Sequence, residues 1–259
     1  MVVVEGTRVR RREPVTAVTP AVHRSETRVT PESSRSSLEY GLVKTGELTV
    51  FPQIRVLFED IDVLADDIAG HGGLIQPITV ALLTEAQALR YVEGFNHVWE
   101  QEVVTSKDIK WIRHNGKRMA KVLIDGERRT RAFRLLETAG CSTCREKHGE
   151  GSCISRHIPE GTMRTTYRIG ISYTEALRVQ YSANLSKPNY PHEYAEAFRR
   201  ALRAEQLIDS SFSNADLARK YGIARSTVIE MMAFAELPAS IKDLVARKRI
   251  DYGHAVVLH

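Results

Sequence analysis

Residues Ser213 to Pro238 read SNADLARKYGIARSTVIEMMAFAELP. Ser213 followed three residues later by Asp216 is a helix-start signal, because each side chain can accept from the other's backbone amide. Leu217, Ala218 and Tyr221 give the first helix an apolar face, and Gly222 supplies a turn after it. A second helix runs from Arg225 to Leu237, where Pro238 follows. The small Ala218 lets the two helices cross closely, with Ile223 and Val228 filling the angle between them. Arg225, Ser226 and Thr227 stand exposed at the start of the second helix, with Arg219 and Lys220 on the helix before it. These residue types suit DNA: a guanidinium grips guanine through two hydrogen bonds, and hydroxyls reach phosphate. A plain helical hairpin has the same spacing, so the rest of the chain has to decide.

Around this stretch the pattern is all-helical, with segments over 192–207, 214–221, 225–236 and 239–247 and a last one from Tyr252, cut by His259. Before Pro188 the pattern mixes strands and helices. Ordered structure is expected to begin near Leu48, with a strand over Leu48–Phe51 and a helix over Asp60–Gly70 that sets Ile61, Leu64, Ala65 and Ile68 on one face. Gly72-Gly73 ends that helix, and Leu74–Val80 reads as a buried strand whose start Pro77 places at an edge or just after itself. A helical pattern covers Thr84 to about Gln101. Strands at Ile109–Arg113 and Arg118–Asp125 flank Asn115-Gly116, a strong hairpin signal. The second strand runs into Gly126-Glu127-Arg128-Arg129 and a helix to about Ala139, with Gly140 as its stop. Tyr167–Ser172 reads as a strand and Thr174–Asn184 as a helix.

The expected organisation is a basic, disordered tail over 1–40, an α+β domain over 41–187 and an all-α domain over 188–259, with the helix-turn-helix at 213–237. The tail is rich in Arg, Thr, Ser, Pro and Glu and has no periodicity, which fits either a solvated linker or a partner-binding peptide. The chain has 259 residues, 37 basic against 32 acidic, and 42% hydrophobic residues. A pI near 9.1 raises the prior for a polyanionic partner without deciding it. No stretch approaches the roughly 20 apolar residues that span a bilayer, and the start lacks the order of a signal peptide, since Arg8, Arg10, Arg11 and Arg12 follow the short apolar run. These features point to a cytoplasmic protein with no membrane partner.

All three cysteines lie within a polar insertion over 141–157, as Cys141-x2-Cys144-x3-His148-x4-Cys153-x3-His157. An odd count in a cytosolic chain argues against a disulfide framework. Such a segment has too little hydrophobic content to hold itself together by burial. Thiolates and imidazoles suit tetrahedral zinc, whose binding energy would become local folding energy. The preferred ligands are Cys141, Cys144, Cys153 and His157, with His148 competing for the fourth place. An iron–sulfur site and free thiols are the alternatives. Four protein ligands leave no open position for catalysis.

Four motifs in series carry a resemblance to a known family. They are Gly73-Leu74-Ile75-Gln76-Pro77-Ile78, Asp125-Gly126-Glu127-Arg128-Arg129-Thr130-Arg131-Ala132, Ser182-Ala183-Asn184-Leu185-Ser186-Lys187, and the helix-turn-helix ending in Glu236-Leu237-Pro238. Arg249–Ala255 resembles the segment that follows. In this order they resemble the ParB family over roughly residues 48–259. The resemblance implies a sulfiredoxin-like amino-terminal domain that binds CTP with Mg2+, and a helical domain that binds a palindromic, centromere-like site in double-stranded DNA. It further implies a nucleoid-associated homodimer that closes around DNA on CTP binding, a ParA-type ATPase met through the tail, and a carboxy-terminal dimerisation domain that is not expected within these residues. The implied CTP contacts are Gly73, Leu74, Gln76, Gly126, Arg128, Arg129, Asn184 and Lys187. Gly126 stands at a strand-to-helix junction, where backbone amides and the helix dipole favour phosphate, and Arg128 and Arg129 would neutralise its oxygens. Glu127 is the candidate catalytic residue, holding magnesium or orienting water, with a helix-capping role as the alternative.

Two departures matter. The family's third motif is usually Glu-Asn-x-x-Arg, and here it is Ala183-Asn184-Leu185-Ser186-Lys187, so an expected metal contact is gone and the Arg fork is replaced by a Lys. CTP hydrolysis therefore stays open. Ala224 stands where a hydroxyl residue often caps the recognition helix. Three functions compete: a partition clamp, a site-specific transcriptional regulator of the same fold with vestigial nucleotide binding, and an enzyme. Gly126–Arg129 has no Cys, which argues against sulfiredoxin chemistry. A ParB-like nuclease would need clustered acids for its metals, and Asp60, Asp62, Asp66 and Asp67 are the cluster on offer.

Overall fold

Strand alternation decides the architecture. In Ile78–Thr84 and Lys117–Asp125 both faces carry apolar residues, which fits strands covered on two sides. The computed structural model of the protein describes residues 37–53, 58–100, 103–184 and 191–257. Its elements in order are β1 (Ser37–Val43), β2 (Leu48–Thr49), α1 (Ile61–Gly70), β3 (Ile78–Thr84), α2 (Glu85–Trp99), β4 (Trp111–His114), β5 (Lys117–Asp125) and α3 (Glu127–Thr138). They continue with α4 (Ser142–His148), α5 (Ile154–His157), β6 (Met163–Ile169), α6 (Tyr173–Asn184), α7 (Pro191–Gln206), α8 (Asn214–Tyr221), α9 (Arg225–Glu236), α10 (Ala239–Ala246) and α11 (Tyr252–Val257).

The strands form one mixed sheet in the order β1-β6-β3-β5-β2, with β4 also paired to β5. β3 lies in its middle, parallel to β6 and antiparallel to β5. One face of the sheet sends Ala81, Leu83, Ala120, Val122 and Ile124 into a core with α2 and α6. The other sends Ile78, Val80, Leu82, Met119 and Leu123 against α1 and α3. The amino-terminal region is therefore an α+β layer structure, followed by an all-helical region, as the sequence patterns require.

Local signals explain most boundaries. Thr84 caps α2 in a reciprocal box with Gln87, and Asn115 and Gly116 both take positive φ in the β4–β5 turn. Three differences from the sequence expectation are the largest, beyond shifts of a residue or two such as β4 at Trp111–His114 and β2 at Leu48–Thr49. The first strand begins at Ser37, well before Leu48, because it pairs with the distant β6 from Ser37↔Ile169 to Val43↔Met163. Its exposed Leu38, Tyr40 and Leu42 gave no buried alternation to read. Residues 74–76 are not strand: β3 starts immediately after Pro77, since the carbonyls of Gln76 and Pro77 accept from the Arg129 guanidinium. β6 occupies Met163–Ile169 instead of Tyr167–Ser172, because Ser172 is taken up in a box with Glu175 at the start of α6. The expected tail lies outside the described residues up to position 36.

The helical region shares the first core. Leu217 of α8 and Val228 of α9 belong to the same apolar cluster as Phe95, Tyr173 and Leu177. α7 is the plank between them. Its Arg200 guanidinium lies 3.3 Å from the Trp99 ring centroid, and its Arg203 pairs with Glu100 at 2.6 Å. Its Glu205 accepts from Arg178 of α6 at 2.8 and 2.7 Å and from Lys220 of α8 at 2.6 Å. Burial pushes the Glu205 carboxyl up, but the hydrogen bonds from Arg178 and Lys220 outweigh it and hold its pKa below the ordinary value of 4.5.

Two outcomes follow. Phe95 is buried among Phe51, Trp99 and Tyr173, so Phe95→Ala is expected to cost about 3–5 kcal/mol in urea unfolding. A carboxyl with a depressed folded-state pKa stabilises fully above its unfolded value and loses that contribution as pH falls through the folded one. Glu205→Gln is therefore expected to lower stability at neutral pH and to shrink its gap from the unsubstituted protein below pH 4.5. An unchanged gap across that range, read by denaturant midpoints, contradicts the assignment.

Candidate functional site

The motif pair Gly73–Ile78 and Asp125–Arg129 meets at one junction. β5 ends at Asp125, Gly126 turns the chain at φ 103°, and α3 begins without a side-chain cap. A Cβ at Gly126 would stand 2.7 Å from Ile78 Cγ2 and 3.2 Å from Arg129 Nη2. Glycine is thus needed both for its backbone angle and for the close approach of β3. Arg129 donates from Nη1 to the Gln76 carbonyl at 3.0 Å and to the Pro77 carbonyl at 2.6 Å, and from Nη2 to Asp125 at 3.0 Å. This fork fastens the glycine-bearing loop to the start of α3.

The junction uses the expected residues in different ways. Gly73 takes φ 139° with open space at its Cβ position, and Leu74 is buried. Arg129 is committed to the loop carbonyls and to Asp125, so its charge shapes the junction. Arg128 donates to the Glu59 carbonyl at 2.9 Å, and its Nε is buried without a hydrogen-bond partner. An unpartnered guanidinium nitrogen beside an uncapped helix start fits an anionic ligand. Glu127 makes no cap. It accepts from Arg131 Nε at 3.0 Å and Nη2 at 2.6 Å, and Arg131 itself lies 3.9 Å over the Phe58 ring. Burial raises the Glu127 pKa against the pull of Arg131. A cavity of about 510 Å³ opens beside it, lined by Phe51, Pro52, Glu127, Thr130, Arg131 and Arg134, among others. Asn184 is the last residue of α6; its side chain and Lys187 lie outside the described residues. The role of Asp125 was not assigned from the motif, although its i,i+4 spacing to Arg129 on a new helix was the available signal.

In the helix-turn-helix, Ser213 and Asp216 form the reciprocal box, and Gly222 closes α8 in the left-handed conformation. Ala224 offers α9 no side-chain cap. Arg225 and Ser226 are exposed and Thr227 is half-buried. Arg219 is exposed and pairs with Asp216 at 3.0 Å. Lys220 differs: its ammonium is held by Glu205, so it braces α8 against α7.

The acids of α1 are dispersed. Asp66 accepts from the Ser142 backbone amide at 2.7 Å and from its hydroxyl, Asp67 pairs with His71, and Asp62 with Arg145. Among the described residues, one group of side chains stands within reach of a common metal: Cys141, Cys144, Cys153 and His157, whose ligand atoms all lie within 4.8 Å of one another. His157 Nε2 is 3.2 Å from Cys144 Sγ and 3.6 Å from Cys141 Sγ. His148 is exposed at the end of α4 and outside this group. The hydrogen bond with His157 pulls the Cys144 thiol down to about 7. The insertion is not without a core, as its composition implied. The three cysteines are buried with Ile158 against α1 and α3, acting there as small hydrophobes.

No helix among the described residues is long and apolar enough to cross a membrane. No curated protein sequence matches the chain. Among solved structures, it is similar to the C-terminally truncated chromosome-partitioning protein ParB from Caulobacter crescentus complexed with CTP-gamma-S, at 16% identity and a TM-score of 0.30, covering 85% of this chain and 91% of that one. It is also similar to the C-terminally truncated Caulobacter crescentus ParB complexed to the centromeric parS site, at 17% identity and a TM-score of 0.40, covering 83% and 82%. Residues 191–259 match the family model of the ParB HTH domain.

Proposed function

We propose that the protein is a ParB-like DNA-binding partition protein. The observation that carries this reading is the ParB-type helix-turn-helix over 191–259, with Arg225 and Ser226 exposed on the uncapped first turn of α9. In this reading α9 enters the major groove of a palindromic, centromere-like site, and Arg225, Ser226 and Thr227 contact bases and phosphates. The chain acts as a homodimer and meets a ParA-type ATPase through its basic tail.

The amino-terminal region takes CTP with Mg2+ at the junction of Gly73–Gln76 with Gly126–Arg129, and nucleotide binding closes the dimer as a clamp. The α3 amino terminus and Arg128 receive phosphate oxygens. Arg129 keeps the loop in shape, and Glu127, once released from Arg131, is the residue available for magnesium or water. A second inorganic cofactor, zinc, is held by Cys141, Cys144, Cys153 and His157.

Calorimetry of the intact chain with CTP and Mg2+, with and without a palindrome selected from random duplexes, tests the reading. Saturable CTP binding that depends on Arg128 is expected. Retained site-specific DNA binding with no CTP affinity would assign the molecule to transcriptional regulators of the same fold. Magnesium-dependent cleavage of plasmid DNA would overturn both readings. For the DNA contact, Arg225→Ala is expected to weaken binding by about 1–3 kcal/mol and to relax preference at one base position, measured by fluorescence anisotropy on the selected duplex and its variants.

A further inference from the structure

The cysteine insertion leans on the same loop that the nucleotide reading uses. Gly72 neighbours the His157 carbonyl, which a Cβ at Gly72 would meet at an ordinary contact distance of 3.5 Å. Leu74 shares one buried cluster with Cys141, Cys144, Cys153 and Ile158. Asp66, one turn before the end of α1, accepts from the first amide of α4, and Arg145 of α4 reaches Asp62 at 3.5 Å. From the other side, the Cys153 amide donates to the Leu136 carbonyl of α3 at 3.0 Å, and the Gly151 amide to Ala139 at 3.2 Å. Gly140 permits this contact, since a Cβ there would stand 2.6 Å from the Gly151 carbonyl. The cysteine group thus touches both helices that frame Gly72–Pro77, while Arg129 holds that loop at its far end.

The group has the chemistry of a closed zinc site. Zn–S bonds near 2.3 Å and Zn–N bonds near 2.0–2.1 Å place tetrahedral ligand atoms roughly 3.5–3.8 Å apart, and the observed Cys–His separations are 3.2 and 3.6 Å. All three cysteines are free thiols. Second contacts are in place: the Cys141 amide donates to Cys153 Sγ at 3.2 Å, and Arg156 Nη1 stands 3.8 Å from Cys144 Sγ. These donors offset the negative charge that three thiolates leave on a bound Zn2+.

We infer that Cys141, Cys144, Cys153 and His157 bind one structural zinc ion that locks the insertion onto α1 and α3 and thereby sets the conformation of the Gly72–Gln76 loop. The zinc is a remote brace for that loop and takes no part in chemistry on the ligand. Its relevance to nucleotide affinity rests on the CTP reading above, but the brace itself does not.

Elemental analysis and hydrogen exchange test it on the intact chain. About one zinc per chain is expected after purification, unchanged by His148→Ala and lost in His157→Ala. Cobalt substitution should give the visible absorption of a tetrahedral thiolate site. Chelation should speed amide exchange at Gly72–Leu74 by about tenfold while exchange across α8 and α9 stays as it was. Less than half an equivalent of zinc, or a pale octahedral cobalt spectrum, overturns the site. Full zinc occupancy with unchanged exchange at Gly72–Leu74 on chelation overturns the brace. If the zinc-loaded protein shows both effects and binds no CTP, the nucleotide reading fails and the brace stands.

Discussion

The fork of Arg129 onto the carbonyls of Gln76 and Pro77, closed by Asp125, is the constraint on which the amino-terminal region depends. Gln76 and Pro77 are exposed, so these bonds matter for where they fix the chain more than for the burial of their carbonyls. One guanidinium satisfies both and is itself neutralised by the last residue of β5. The loop is thereby tied to the start of α3, and Gly126 is required because any side chain there would collide with Ile78. The Arg129 charge is paired within the junction, while the buried Arg128 Nε has no hydrogen-bond partner.

A second electrostatic junction does the corresponding work for the helical region. Arg178, Glu205 and Lys220 come from α6, α7 and α8, and the central carboxylate is nearly enclosed. Removing one partner from such a group leaves a poorly solvated charge, which is why it holds its three helices in one arrangement. Together with Arg200 over Trp99 it seats α7 on the amino-terminal core, and α9, packed on α7, is carried with it. α6 packs on β5 and on α7, and α7 packs on α9, so the strand that ends at Asp125 is joined to α9 through packed helices.

Much of this was legible in the sequence because it is local. The box at Ser213 and Asp216, the Gly222 stop, the Asn115-Gly116 turn and the Thr84 cap are each set by residues within four positions of one another, and backbone hydrogen bonding gives such patterns few alternatives. The cysteine group was legible for a different reason. Soft ligands at short spacing in a polar stretch have few other uses, and the preference for His157 over His148 agrees with their placement.

What only the tertiary structure decided are the matters that depend on distant partners. β1 is a strand because β6 offers it a ladder across more than a hundred residues, and no periodicity in an exposed edge strand announces that. That Lys220 pairs with Glu205, and that the acids of α1 are divided among Ser142, His71 and Arg145, are likewise set by distant partners or by how the chain folds back. The sequence by itself determined which residues carry charge, turn the chain or offer soft ligands, because those are properties of side chains. Which of those charges are paired was settled by three-dimensional neighbours, since Coulomb attraction acts only between charges that the fold brings within a few ångströms.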